Sequence, residues 1–206
     1  MKLFDVIGMD EGGRIGSAVR LDEIPPQFRK LPLLGRGATT IAFAKDDKTA
    51  LLFTRDPMKV DWLRHGIHVI SHSEVIVPVR SHHIRGMQEF DLYMLTVPRL
   101  EKLSGANIKR VNRELRDYKN ILARHRRDAG DYRKWGKREF LANISAEYEE
   151  KHPDSLLAPF FSWIMDYDTN QYYFDLGRRQ FLQTPDGKIV LVDPVVSKEL
   201  LDLFHN

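Results

Sequence analysis

Three polar residues near the end of the chain have side chains suited to a divalent cation. Asp175 and Gln180 lie five positions apart, and Asp193 follows the apolar run of residues 189–192. Between them, the sequence Pro-Asp-Gly-Lys at residues 185–188 is typical of a β-hairpin loop. If those four residues form the loop, Gln180 faces Asp193, and opposed hairpin residues have Cβ atoms about 4.5–5.5 Å apart. Two carboxylates and an amide oxygen then predict a magnesium site, with an ordinary surface hairpin as the alternative.

A glycine-bearing turn earlier in the chain has the residues of a phosphate-binding loop. Gly35 and Gly37 would let the backbone N–H groups approach an anion closely, and Thr39 and Thr40 would add hydroxyl donors. The loop of a dinucleotide-binding fold opens into a helix, whereas the residues after Gly37 alternate like a strand. A Walker A loop is excluded because Gly-Lys-Ser and Gly-Lys-Thr do not occur in the chain. The pattern predicts a lid between two strands, with a plain tight turn as the alternative.

The segments that must position these residues are β-rich in the first half of the chain. Residues 1–30 carry loop signals and are interpreted as an N-terminal extension. Short apolar runs broken by turns predict an antiparallel meander of five strands, at residues 31–34, 41–44, 50–54, 75–79 and 92–97. A short helix is predicted over residues 56–66, with Asp56 as its cap and Pro57 at its first position.

The second half is helical and begins with a basic segment. Residues 109–138 hold 12 Lys and Arg against 4 Asp and Glu, a local charge of 12 − 4 = +8 in a chain of net charge +3. An amphipathic helix is predicted here from apolar residues at spacings of three and four, Val111, Leu115, Tyr118 and Leu122. Two further helices are predicted at residues 134–150 and 156–165. The basic segment is either a solvated face or a surface for an anionic partner.

The composition narrows the class of protein. The chain has 206 residues, of which 42% are apolar and 30% charged, as expected for a soluble globular protein of one domain or two small lobes. The absence of cysteine excludes disulfides, thiol nucleophiles and Cys-ligated zinc. No secretory leader pattern and no window approaching 18 uninterrupted apolar residues is found, so we expect a cytoplasmic protein without a membrane partner.

The order and spacing of the two candidate sites resemble those of the protein-kinase fold. The glycine turn is similar to the kinase glycine-rich loop, with Thr40 in place of the third glycine, and residues 92–103 resemble the fifth strand running into the hinge. Asp175-x-x-x-x-Gln180 resembles the catalytic-loop D-x-x-x-x-N, and Asp193 stands where the D-F-G aspartate would. The Asp-Pro-Val form of this last motif resembles atypical kinases, namely the RIO-like and lipopolysaccharide-core kinases and the early host-shutoff protein kinases of T7-like phages.

This resemblance implies an α+β, protein-kinase-like two-lobed fold, with an antiparallel N-lobe sheet over residues 31–97 and a reduced helical C-lobe over residues 98–206. It also implies ATP- and magnesium-dependent phosphoryl transfer to a protein, as in an atypical serine/threonine kinase. The likeness to phage kinases implies a viral protein that acts on host factors. Asp175 would accept the proton of the attacking hydroxyl, and Gln180 and Asp193 would hold magnesium. The phosphates would be covered by Gly35, Arg36, Gly37, Ala38, Thr39 and Thr40.

The chain departs from the family at several positions. The third predicted strand lacks the lysine that holds the α- and β-phosphates in the family, and Arg55 or Lys59 would have to replace it. The helix at residues 56–66 has no Glu, and only thirteen residues follow Asp193. These departures keep two alternatives open. One is a catalytically inactive kinase-fold protein that binds and inhibits an acidic partner; the other is nucleic-acid binding through the basic helices.

Overall fold

The computed structural model describes the chain in six segments, residues 19–37, 39–66, 71–78, 91–128, 137–167 and 171–200. The fold class is α+β, with a five-stranded antiparallel sheet, two smaller two-stranded sheets and several helices in the described segments. The chain divides into two compact units, the first formed by Met1–Leu100 with Val195–Asn206 and the second by Glu101–Pro194. Within the six segments, no helix is both long and apolar enough to cross a membrane.

A five-stranded antiparallel sheet forms most of the first unit. Its strands are β1 (Leu33–Arg36), β2 (Thr40–Ala44), β3 (Thr49–Thr54), β4 (Ser71–Pro78) and β5 (Asp91–Pro98). Each of the five predicted strands is confirmed, but the predicted meander is wrong because the strand order is β1-β2-β3-β5-β4. After β3 the chain enters a helix rather than a hairpin. The next strand along the chain, β4, therefore need not pair with β3, and it lies at the edge of the sheet.

Apolar side chains cover one face of this sheet. Ile41 pairs with Phe53, and Phe43 with Leu51, so the large side chains of β2 and β3 lie together. The Phe43 and Phe53 rings meet edge to face at 5.9 Å, an arrangement that adds to the free energy of burial. Residues ahead of β1 complete the core, since Val19 and Ile24 are fully buried against the same cluster.

The helix α1 (Pro57–Gly66) begins where the sequence predicts. The Asp56 carboxylate accepts hydrogen bonds from the backbone N–H groups of Met58 at 3.0 Å and Lys59 at 3.4 Å, which satisfies two of the free donors of the first turn. Pro57 has no backbone N–H group, so it adds no unpaired donor to the first turn of the helix. The buried face of the helix includes Met58, Val60, Trp62 and Leu63.

The second unit contains three helices, α2 (Gly105–Asp128), α3 (Lys137–Lys151) and α4 (Ala158–Ile164). Three short strands follow, β6 (Tyr172–Phe174), β7 (Phe181–Gln183) and β8 (Ile189–Leu191), and β9 (Val195–Ser197) returns to the first unit. The three predicted helices are confirmed. On α2, Val111, Leu115 and Tyr118 are buried as predicted, but Ile121 is buried where the sequence pattern favoured Leu122, which is half-buried.

A buried glutamate joins the helices of the second unit. Glu114 on α2 is 4% exposed, and its Oε2 accepts hydrogen bonds from the Tyr148 hydroxyl at 3.0 Å and from the Leu156 N–H at 2.8 Å. Its Oε1 accepts one from Arg110 Nε at 3.2 Å. Burial raises the pKa of Tyr148 well above its ordinary value, so the phenol stays a neutral donor to the carboxylate.

Candidate functional site

Asp175 lies directly after β6 and is held by two neighbouring side chains. Its Oδ2 accepts hydrogen bonds from Gln180 Nε2 at 2.6 Å and from Arg179 Nη2 at 2.6 Å. A short 3-10 turn at Arg178–Gln180 brings these side chains back toward the carboxylate. Gly177 leaves room for the other oxygen, because a Cβ atom there would lie 3.3 Å from Oδ1. The predicted association of Asp175 and Gln180 is present, and Arg179 joins it.

Two backbone hydrogen bonds place Asp193 beside this pair. The Val192 N–H donates to the Gln180 carbonyl at 2.8 Å, and the Asp175 N–H donates to the Pro194 carbonyl at 2.9 Å. Asp193 is the residue between these two attachment points, and it is half-buried. The structure therefore brings the backbone of all three residues together within the second unit.

The hairpin register predicted from the sequence is wrong by one residue. Gln183 pairs with Ile189, and the Thr184 N–H donates to the Lys188 carbonyl at 2.9 Å, so the loop has three residues rather than four. Gly187 has a φ of +88°, the left-handed conformation that closes a three-residue loop after a type I turn. Gln180 consequently faces Val192 rather than Asp193, with the Asp175 carboxylate as the partner of its side-chain amide.

The donor set of this cluster fits magnesium better than a transition metal. Because Gln180 directs its Nε2 to Asp175, its side-chain oxygen would be the ligand atom, and Asp193 would supply a carboxylate. Magnesium is commonly bound through one or two carboxylates, with waters and substrate phosphates completing its octahedron. In the described segments, no group of three or more His, Cys, Asp or Glu side chains is placed to hold a metal ion.

The glycine turn in the first unit joins β1 to β2. Gly35 pairs with Ala42, and the Gly37 N–H donates to the Thr40 carbonyl at 2.7 Å, which closes the turn. Arg36 is exposed at its outer side. The remaining residue of the predicted phosphate lid, Ala38, lies outside the described residues. The turn connects two antiparallel strands, the arrangement that its sequence predicts.

The two threonines of this turn belong to a buried hydrogen-bonded chain. The Lys59 ammonium donates to Thr40 Oγ1 at 2.8 Å, the Thr40 hydroxyl donates to Thr54 Oγ1 at 3.1 Å, and the Thr54 hydroxyl donates to the Thr39 carbonyl at 2.8 Å. All four residues are at most 8% exposed. We call Lys59, Thr40, Thr54 and Thr39 the threonine relay. The prediction that the Thr40 hydroxyl donates to a phosphate is therefore wrong for this arrangement, because its proton is donated to Thr54.

Sequence reasoning missed several contacts of these clusters. Arg179 was not singled out, although its spacing of four from Asp175 allows an ion pair, here with Nη2 at 2.6 Å from Oδ2. Thr54 gave no signal, since threonine is common in strands. Of the two cations noted near β3, Arg55 pairs with Glu23 at 3.4 Å, and Lys59 enters the threonine relay.

Comparisons with known proteins do not assign this chain to a family. Scans against protein-family models, curated proteins and solved structures find no match. The residues and contacts described above are therefore the basis for assigning a function.

Proposed function

We propose that this protein transfers the γ-phosphoryl group of ATP to a serine or threonine of another protein. The observation that supports this most is the cluster of Asp175, Gln180 and Asp193, which two backbone hydrogen bonds hold together. Phosphoryl transfer requires little covalent chemistry from the enzyme. It depends on positioning the nucleophile and neutralising the phosphate charge, and a proton-accepting carboxylate at Asp175 with magnesium held by Gln180 and Asp193 would meet both needs.

In this reaction Asp175 is the proton acceptor. The attacking hydroxyl oxygen forms a bond to the γ-phosphorus, the bond from that phosphorus to the β–γ bridging oxygen breaks, and ADP leaves. The hydroxyl proton passes to Asp175. Hydrogen bonds from Arg179 and Gln180 fix the orientation of its carboxylate before the substrate arrives.

Two further groups of residues serve the nucleotide. Asp193 and the side-chain oxygen of Gln180 would hold magnesium, which supplies positive charge to the β- and γ-phosphate oxygens when bound. The turn at residues 35–40 would cover the phosphates with its backbone N–H groups, helped by the exposed charge of Arg36.

A thermal-shift measurement with magnesium and ATP tests this function. A ligand at 100 times its dissociation constant stabilises the folded state by about 2.7 kcal/mol, which should raise the Tm of the wild type by about 5–10 °C. We expect Asp193→Ala to remove most of this shift. Asp186→Ala, an exposed aspartate in the loop of the same hairpin, is the matched control and should keep it. No shift in the wild type, or an equal shift in Asp193→Ala, would contradict the proposal.

A second candidate function, binding of an acidic partner without catalysis, is favoured by the exposed side of α2. Seven cations of α2 are exposed, of which Arg110 pairs with the buried Glu114. The other six are called the basic face: Lys109, Arg113, Arg116, Lys119, Arg126 and Arg127. Within the described segments, Arg116 is the member of this set that forms an ion pair, with Asp117 at 3.6 Å. Arg124 is not a member, because it is half-buried and pairs with Glu147 on α3.

Charge reversal of the basic face should abolish binding to polyanions. We expect the wild type to bind poly-glutamate at low salt and to release it as the Debye length shortens from about 30 Å at 0.01 M to 8 Å at 0.15 M salt. Replacing Lys109, Arg113 and Arg126 by Glu should remove this binding, whereas Lys45→Glu with Lys48→Glu, at exposed positions of the first unit, should not. Equal binding by both variants would exclude the basic face. Tighter binding to a single-stranded oligonucleotide than to poly-glutamate would indicate nucleic acid instead.

A further inference from the structure

Two arginines follow one another in the 3-10 turn beside Asp175, and they differ in their contacts. Arg179 belongs to the candidate site, since its Nε and Nη2 donate to Asp175 Oδ2 at 3.3 and 2.6 Å. Arg178 is also exposed, but its guanidinium has no hydrogen bond or ion pair within the part of the chain that the structure describes. A guanidinium presents its N–H donors in a planar fork that matches a carboxylate. Arg178 is therefore available to a group outside this chain.

The backbone that carries Arg178 is fixed on both sides of the turn. The Gln180 N–H donates to the Gly177 carbonyl at 3.0 Å, and the Phe181 N–H donates to the Arg178 carbonyl. The residues that flank the turn are buried, with Leu176 at 9% and Phe181 at 3% exposure. A rigid support lowers the entropic cost of binding, because less of the chain has to be ordered when a partner arrives.

The separation of Arg178 from Asp175 determines which residue of a bound segment can reach it. The two residues are three positions apart, so their Cα atoms are separated by at most about 11 Å, because a chain advances by no more than about 3.6 Å per residue. A partner segment in extended conformation covers the same distance in about three residues. If its hydroxyl residue lies at Asp175, a residue within three positions of that hydroxyl can contact Arg178.

The charges around Arg178 favour an acidic partner over a basic one. The Asp175 carboxylate is already paired with Arg179 at 2.6 Å, so Arg178 adds a second positive charge to the turn. The helix α2, which carries the basic face, packs against this turn within the same unit. A segment with acidic side chains would be attracted at both places, whereas a basic segment would be repelled.

We propose that Arg178 determines the specificity for the acceptor, and that its guanidinium binds the carboxylate of an Asp or Glu within three positions of the Ser or Thr that receives the phosphoryl group. This assignment rests on the proposed kinase function. The acceptor is then an acidic segment of a protein rather than a neutral or basic one. Arg178 takes no part in the chemical step, which is assigned to Asp175 and the magnesium ligands.

Phosphorylation of three synthetic peptides by the full chain tests this role. Each peptide has one serine, with Glu, Ala or Lys at the second and third positions on both sides, and kcat/KM is measured for each at 0.15 M salt. We expect the wild type to prefer the Glu peptide to the Ala peptide by about 3- to 10-fold, the range expected between an exposed ion pair and a charge-assisted hydrogen bond. Arg178→Ala should remove this preference, Arg178→Lys should keep part of it, and Arg178→Glu should reverse it in favour of the Lys peptide.

Lys188→Glu is the matched control for Arg178→Glu. Lys188 is an exposed lysine in the loop of the hairpin that follows the turn, so its replacement changes the net charge by the same amount at the other end of the hairpin. Charges that far apart are largely screened at this salt concentration. We expect Lys188→Glu to keep the wild-type order of preference among the three peptides. The KM for magnesium-ATP should be unchanged in all of these variants.

The outcomes separate this inference from the proposed function. A wild type that labels acceptor proteins but labels the Glu peptide no faster than the Ala peptide would show that the inference is wrong while the kinase function stands. The inference would also be wrong if Arg178→Glu kept the wild-type order of preference, or if Lys188→Glu lost it equally. A raised KM for ATP in Arg178→Ala, with unchanged preference among the peptides, would assign Arg178 to the nucleotide instead. A wild type that transfers no γ-phosphate to any protein would overturn the proposed function together with this inference.

Discussion

Replacement of Asp175 by Asn is expected to lower the rate of phosphoryl transfer by about 10²- to 10⁴-fold, the usual contribution of a positioned acid or base. The amide has the shape of the carboxylate but does not accept a proton at neutral pH. Its oxygen can still receive the hydrogen bonds that Arg179 and Gln180 make in the wild type. The affinity for magnesium-ATP should therefore stay close to that of the wild type, which locates the loss in the chemical step.

Single-turnover rates of wild type and Asp175→Asn at saturating ATP measure this effect. Asp166→Asn is the matched control, because Asp166 is an exposed aspartate of the same unit that lies outside the candidate site. We expect its rate to equal that of the wild type. A similar rate in all three proteins would remove Asp175 from the reaction, and a loss of ATP affinity in Asp175→Asn alone would make it a binding residue.

Replacement of Glu114 by Ala should destabilise the protein by about 2–5 kcal/mol, since each buried donor left unpaired costs roughly 1–3 kcal/mol. The Tyr148 hydroxyl and the Leu156 N–H both lose their acceptor, and the cavity left by the side chain adds to the cost. Glu114→Gln retains one acceptor oxygen and should lose less.

Urea unfolding followed by circular dichroism gives the free energies of these variants. Glu150→Ala, at an exposed position of α3, is the control and should stay within about 0.5 kcal/mol of the wild type. If Glu114→Ala unfolded at the same urea concentration as Glu150→Ala, the buried carboxylate would not be what joins the helices. A Tyr148→Phe variant should show a part of the loss, because it removes one of the three donors to the Glu114 carboxylate.

Local signals in the sequence were sufficient for the elements but not for their arrangement. The cap at Asp56 and the proline after it predict the start of α1 because both act within one turn of the helix. The order of the strands in the sheet, by contrast, depends on pairing between residues that are far apart in the sequence. The pairing of β5 with β3 joins residues 39 to 49 positions apart, and no local pattern in β4 or β5 specifies which of them lies at the edge.

In the candidate site, too, some features could be predicted from the sequence and others could not. The spacing of Asp175 and Gln180 predicts their association, whereas the hairpin sequence is compatible with loops of three or four residues. The register was decided by the left-handed conformation of Gly187, which the sequence permits but does not require. The burial of Glu114 could not be predicted, because a charged residue in a basic helix has the sequence pattern of a solvent-exposed residue. Its burial depends on donors from α3 and the segment before α4.

Transfer of radiolabel from ATP to protein tests the central claim most directly. The wild type is incubated with magnesium and an acceptor protein mixture, with the label on the γ-phosphate in one reaction and on the α-phosphate in another. We expect the γ-label alone to enter protein, only with magnesium, and with strongly reduced incorporation in Asp175→Asn and Asp193→Ala. The missing lysine of β3 predicts a slow reaction without the natural target, so the incubation should include the protein itself as acceptor. No γ-label in any protein, or equal labelling by wild type and both variants, would contradict phosphoryl transfer by this chain.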